Sequence, residues 1–412
     1  MRFAAWLVAL LLLPLLAIAL LLASTLEAAP LVSRSASISP TSIADAKSLL
    51  ASNDPRRLRR GEQRTALIPA ALIDEALNHL SSRVLQGRGA FALAKESAEV
   101  RLSVAAPRLL AAPYLNLSVL FKVVDGQPRI ASASLGALPI PPGVAEWLIA
   151  LAIEYSGLGA DWHLARQAFR GLQFAPARGL VAVSYAWEPG LLESARSRAF
   201  TPTEIADIEA AQRALAALLA DYPARARVPL SKILAPLLSR VGKRTLQDDR
   251  AALLVLAAYL SEKRLSTLLP AARQWPQARP LELTLHGHYD KAQHFTISAA
   301  LAAWAGEPAA NAIGIYKEID DSRGGSGFSF ADLAADRAGT RFGELIAADS
   351  PRLQAARRSS LADAELAPAL GGLPEDLSEA TFQRRFGGPD NAAFQELSRE
   401  IDHRLAALPL YR

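Results

Sequence analysis

A chain of 412 residues, 51% of them hydrophobic, is long enough to bury sizeable cores, and its length predicts two or three domains. The net charge of +5 is small for this size and the arginines are dispersed, so the composition predicts no nucleic-acid partner. The absence of cysteine excludes disulfides, Cys-ligated zinc, a thiol nucleophile and an anchor on a lipidated cysteine.

The first element is apolar. Phe3 to Ala23 is 21 residues without a charge, and at about 1.5 Å per residue it spans roughly 30 Å, the thickness of a bilayer core. It is longer than the ~7–15 residue apolar stretch of a cleavable signal, so residues 1–25 are expected to be an uncleaved transmembrane anchor in contact with membrane lipid. Arg2 precedes the segment and Arg34 is the first basic residue after it. The positive-inside rule then puts the bulk of the chain in the periplasm, outside a bacterial inner membrane.

Residues 26–61 are rich in Ser, Ala and Pro at their start and are expected to form a tether with a short helix near 43–51. Its basic cluster, Arg56, Arg57, Arg59 and Arg60, could meet anionic headgroups or form a solvated loop. Residues 62–195 are expected to be an α+β domain. Leu72, Ile73, Leu77, Leu80 and Val84 recur at helical spacing over 68–84. The period then becomes two at 98–104, 115–123 and 179–187, which predicts half-buried antiparallel strands. Between them "PPGVAEWLIALAIEY" predicts a helix with Pro142 near its start, apolar nearly all round and therefore expected to be covered on most sides. The order of anchor, short helices, strands and "LGALPIPPGVAEWL" resembles the YpmS-like membrane-anchored envelope domains, which implies a relation to tubular lipid-binding folds.

Residues 196–280 are expected to be a helical scaffold. "TPTE" at 201–204 reads as a capping box, followed by Ile205, Ile208, Ala211, Leu215, Leu218 and Leu219 at helical spacing. The whole chain is therefore predicted to be α+β, with an N-terminal transmembrane helix, an antiparallel-sheet domain and a mainly helical C-terminal half. Residues 281–350 are expected to form a helical domain, and 351–412 a helical extension.

Polar residues concentrate in 281–350. After a strand at 281–285, Asp290 is placed to cap a helix on which His294 lies one turn later. Glu318 and Asp321 share a face of the next helix, and Ser329 with Asp332 reads as a second capping box, with Asp336 a turn beyond. If these faces converge, three helices bring carboxylates and a histidine together. Such carboxylates need a cationic partner, a metal or a shared proton, and Lys291, Lys317, Arg323, Arg337 and Arg341 are near in sequence. Three readings fit: helix caps with a salt-bridged polar core, a ligand or catalytic site, and a divalent-metal site in which His294, Asp290 and Asp336 are candidate ligands. "HGHYD" at 286–290 mimics an HxHxD metal motif, but only His294 and His403 follow it, and no G-x-S-x-G is present.

"DKAQHFTISAAL" and "KEIDDSRGGSGFSFADLAAD" closely resemble the YfiM family of small bacterial envelope lipoproteins and, more faintly, the VanZ-like membrane proteins. The resemblance covers about 288–345 and implies an envelope setting; it carries no reaction. Its motif positions are Asp290, Lys291, His294, Lys317, Glu318, Asp321, Arg323, Ser326, Ser329, Asp332 and Asp336. The expectation is a membrane-anchored envelope protein, non-catalytic and without a cofactor, that binds or organises a lipid or cell-wall component through these residues. The alternative is a metal-dependent hydrolase in which Glu318 and Asp321 act in catalysis, Glu318 as general base.

Overall fold

A computed structural model of the chain describes residues 25–54, 57–106, 114–191, 194, 200–239, 246–261, 265–267, 269–324, 326–356 and 361–412. The chain divides into two compact units, 1–197 and 198–412. Among the described residues no helix is long and apolar enough to cross a membrane, and the 3–23 segment lies outside them.

The first unit is α+β. Strands β3 (Gly87–Leu93), β4 (Ser97–Ala105), β5 (Tyr114–Val124), β6 (Gln127–Leu135) and β7 (Leu138–Ile140) form an antiparallel meander in sequence order, and β1 (Leu26–Glu27) pairs with the start of β5. A second antiparallel sheet has the order β2 (Gln63–Pro69), β9 (Leu180–Ala186), β8 (Phe169–Ala175). The three strands expected from alternation are present, each within a residue or so of its predicted ends. The helix expected from 68 is α2 (Ala70–Val84), preceded by β2; Pro69 ends the strand and precedes the first helical turn. Strand β3, which alternation did not reveal, is disguised by glycine: a Cβ on Gly89 would lie 2.7 Å from Ser81 Oγ and 3.0 Å from Leu77 Cγ of α2.

Residues 26–52 are not a free tether. Val32 is buried, and its amide donates to Ser103 Oγ at 2.9 Å. Buried Asn116 accepts from the Leu31 amide at 3.0 Å and donates to the Ala29 carbonyl at 2.9 Å, so the polar side of β5 is a bonding seam, not a wet face. Helix α1 (Pro40–Ser52) is capped by Ser39, whose amide and hydroxyl both donate to Glu75 of α2. Helix α3 (Pro142–Tyr155) forms as expected but is not covered: Ala145 is its single buried residue, and α4 (Gly159–Ala168) follows it.

The second unit is helical. Helix α5 (Pro202–Ala220) carries the expected capping box, with Thr201 and Glu204 bonded reciprocally. It packs with α6 (Leu230–Ser239) and α7 (Leu246–Leu260) around α8 (Tyr289–Ala305), with Leu215, Leu219, Leu253, Leu256, Phe295 and Ala299 in one core. Parallel strands β10 (Arg227–Pro229) and β11 (Glu282–Thr284) tie the scaffold to the start of α8. Helix α9 (Glu307–Gly324) leads to α10 (Phe330–Ala347), which crosses α8 closely: a Cβ on Gly339 or Gly343 would strike the carbonyl oxygen of Phe295 or Ala299. Short helices α11 (Pro351–Ala356), α12 (Asp363–Leu366) and α13 (Glu379–Phe386) precede terminal α14 (Ala392–Ala406). This last stretch is more than a surface extension, because Phe382, Phe386 and Phe394 bury with Phe328 and Phe330 in a second core beneath the start of α10. Phe328 stacks on Phe382 at 4.2 Å.

Candidate functional site

The predicted polar residues of α8, α9 and α10 converge. His294 projects from α8 and its Nδ1 lies 3.1 Å from Asp336 Oδ2 of α10, while Ser298 Oγ, one turn along α8, donates to Asp336 Oδ1 at 2.7 Å. Gly314 of α9 makes room for this carboxylate, since a Cβ there would lie 3.0 Å from Asp336 Oδ2. Ser329 caps α10 by accepting from the Asp332 amide at 3.0 Å. The expected capping box is only half formed: the Ser329 amide donates to Glu318 Oε2 of α9 at 3.0 Å, which releases the Asp332 side chain toward Lys291. Asp290 does not cap α8; it sits in the first turn and accepts from Lys291 Nζ at 2.9 Å.

Two lysines neutralise the cluster. Lys291 Nζ, almost fully buried, lies 2.6 Å from Glu375 Oε2 and 2.8 Å from Asp332 Oδ1. That second contact is an ion pair off hydrogen-bond geometry, so Asp332 Oδ1 keeps an uncommitted lone pair. Burial pulls the Lys291 pKa down, but the Asp332, Glu375 and Asp290 carboxylates beside it outweigh that and hold the ammonium firmly charged. Burial would also raise the Asp290 carboxyl, and the bond to Lys291 brings it below the ordinary range. Lys317 of α9 lies 2.6 Å from Asp321 Oδ2, 3.3 Å from Glu318 Oε1 and 3.2 Å from His294 Nε2.

The last contact raises a question of protonation. If it is a hydrogen bond, Nε2 offers a lone pair and the ring is neutral. Asp336 at 3.1 Å, Asp332 at 3.6 Å and Glu318 at 3.8 Å argue for a cation. Burial opposes the charge and the Lys317 ammonium works against it, yet Asp336 and then Asp332 lift the ring to about 9. The negative field wins and favours the imidazolium, and Lys317 and His294 both face Glu318. Burial is the main cause that pushes Glu318 up to about 7, with His294 opposing it.

A cavity of about 810 Å³ opens beside this cluster, lined on its polar side by Asp290, Lys291, His294, Lys317, Ser326, Asp332, Asp336, Glu375 and Asp376 and on its apolar side by Ile297, Leu301 and Ile313. Glu318 is fully buried and is not among the lining residues; it meets the cavity through Lys317 and His294, which do line it. Asp321 joins through Lys317, and the Arg323 side chain lies outside the described residues. Ser298, Glu375 and Asp376 were not predicted. Ser298 had a signal, its i+4 spacing from His294, but Glu375 and Asp376 sit in a turn some eighty residues from Lys291, where only folding reveals them.

Among the described residues one His/Asp/Glu group is compact enough for a metal ion, His294, Glu318 and Asp332, with donor atoms within 4.8 Å of one another. Asp290 and Asp336, candidate ligands by sequence, are not in it. The group fits a metal poorly: Lys317 Nζ is 3.2 Å from the ring and 3.3 Å from Glu318, and Lys291 Nζ is 2.8 Å from Asp332. Each donor already faces an ammonium, and a ring that keeps its proton is not a ligand. His286 is taken up elsewhere, its Nε2 being 2.9 Å from the Ala367 carbonyl. The chain has no significant match to any protein-family model, curated protein or solved structure. The reading of the site therefore rests on its geometry.

Proposed function

We propose that this is a single-pass, periplasm-facing protein of the bacterial inner membrane, held by Phe3–Ala23, whose second unit binds a lipid or cell-wall component without catalysis. The observation that carries the reading is the charge and shape of the cavity. Five carboxylates (Asp290, Asp332, Asp336, Glu375, Asp376) line it with three cationic groups, Lys291, His294 and Lys317, and with the apolar side chains of Ile297, Leu301 and Ile313. The excess of acid fits a primary ammonium on the ligand. Half-exposed Lys317 is placed for a neighbouring anionic or hydroxyl group, and Ile297, Leu301 and Ile313 for an aliphatic or sugar face. The YfiM-like motifs at 288–345 support an envelope setting.

Native mass spectrometry and thermal shift of the full chain in detergent test this with paired probes. Phosphatidylethanolamine should bind and phosphatidylcholine, whose nitrogen has no N–H, should not; among cell-wall fragments glucosamine should bind and N-acetylglucosamine should not. The pair that discriminates identifies the source. The substitution Asp376→Asn, at the exposed rim and outside the Lys291 ion pairs, should weaken binding about tenfold, near 1.4 kcal/mol, at unchanged melting temperature. Equal binding within both pairs overturns the reading. Stoichiometric metal in the purified chain, lost in His294→Ala, would replace it with the hydrolase.

A further inference from the structure

Helix α3 presents an apolar surface to solvent that the first unit does not cover. Trp147 is 61% and Tyr155 85% exposed, Leu148 and Leu151 lie exposed between them, and Trp162 of α4 extends the face. A contiguous surface of this kind marks an interaction site, because it costs free energy while it stays wet.

The course of the chain says what covers it. The backbone of Thr25, two residues after the 3–23 segment ends, packs against Gly136, where a Cβ would strike the Thr25 carbonyl. Leu26 and Glu27 are fixed to Leu115 and Tyr114 of β5. Pro142, where α3 begins, is six residues beyond Gly136, a reach of at most ~20 Å. A bilayer that holds the apolar segment thus lies within reach of α3, whose fourteen residues span roughly 21 Å. The helix carries two glutamates, Glu146 and Glu154, and no basic residue, so its attraction is to the apolar boundary of a membrane and not to anionic headgroups.

We propose that α3, with Trp162, lies in the plane of the bilayer interface, its leucines in the acyl boundary and Trp147, Tyr155 and Trp162 at headgroup depth, where amphipathic rings are favoured. The proposal rests on the reading of Phe3–Ala23 as a membrane anchor. Two contacts with one leaflet, a span and an interfacial helix, then hold the first unit against the membrane.

The absence of native cysteine allows a clean test. The full chain carrying Leu148→Cys as its only cysteine is labelled with an environment-sensitive fluorophore and reconstituted into phosphatidylcholine vesicles, with or without doxyl-labelled lipid. Lys95→Cys, in the exposed turn between β3 and β4, is the control. Doxyl lipid should quench the Leu148 label at least about twofold more than the Lys95 label, independently of salt. Adding Leu151→Glu, at an exposed position that should not disturb folding, should abolish that difference. A label open to aqueous iodide overturns the proposal, as does one shielded from iodide without doxyl quenching, which would mean that protein covers the helix. Flotation of the same vesicles separates the two readings: a chain that does not float overturns the anchor and this proposal together, and one that floats unquenched overturns only the docking of α3.

Discussion

Proton binding at His294 and Glu318 couples the site to stability, and the two groups act in the same direction. Glu318 is lifted from 4.5 to about 7, so its folded form prefers the proton; that stabilisation is complete below 4.5 and is lost as pH rises through about 7. His294 is lifted from 6.5 to about 9, so its contribution is complete below 6.5 and is lost as pH rises through about 9. The melting temperature should therefore fall by about 5 °C between pH 5 and pH 9. Glu318→Gln should flatten the part below pH 7 and leave the part above it, measured by thermal denaturation across the range. Stability that rises toward alkaline pH would contradict the assignment of these protons. At this scale the sequence was informative about which residues come together. Asp290, His294, Glu318, Asp332 and Asp336 lie at helical intervals, and spacing along a helix is a local property. It was uninformative about what each residue does. Asp290 was expected to cap and instead pairs with Lys291; Glu318, a general base only in the alternative hydrolase reading, accepts from the Ser329 amide in the interior.

Helix packing around the site depends on two positions without side chains. Gly339→Ala would ordinarily stabilise an exposed helix by up to about 1 kcal/mol. Here the new methyl meets the backbone of Phe295, which cannot rotate away, so the substitution should destabilise by roughly 1–3 kcal/mol, read as a lower denaturation midpoint at unchanged slope. A neutral or stabilising result would mean that α8 and α10 are further apart than described. Elements were legible where burial follows periodicity. Strands β4 and β5 and helices α2 and α5 are visible in the sequence because their apolar residues recur at a regular period, although Ser103 and Asn116 are buried on the polar faces of the two strands, whereas β3 hides behind Gly87 and Gly89. Helix α3 was legible as a helix and misleading as to environment. An all-round apolar pattern says that water is disfavoured; it does not say whether protein or lipid replaces it.

The net charge of the site decides its behaviour for the molecule as a whole. Since each potential metal donor faces Lys291 or Lys317, prolonged EDTA treatment of the full chain should leave its melting temperature within about 1 °C of the untreated protein. A larger drop, reversed by a divalent ion, would show that a metal outcompetes the lysines. The change of period near residue 196 lies close to the boundary of the two compact units at 197/198, because period reports which secondary structure each stretch adopts. The docking of residues 26–52 and the burial of Phe382, Phe386 and Phe394 were not readable from the sequence, because Asn116, Ser103 and Phe328 receive those partners from far along the chain.

Taken alone, the amino-acid order determined most of the secondary structure, the apolar run at 3–23 and the short roll of polar residues on three helices, all consequences of repeats a few residues long. Only the tertiary structure decided that Lys291 meets Glu375, that the Asp332 carboxylate turns away from its cap, that an acidic cavity opens beside His294 and that α3 stays bare. Such pairings depend on which distant segments pack together, and an electrostatic field is the sum over all of them.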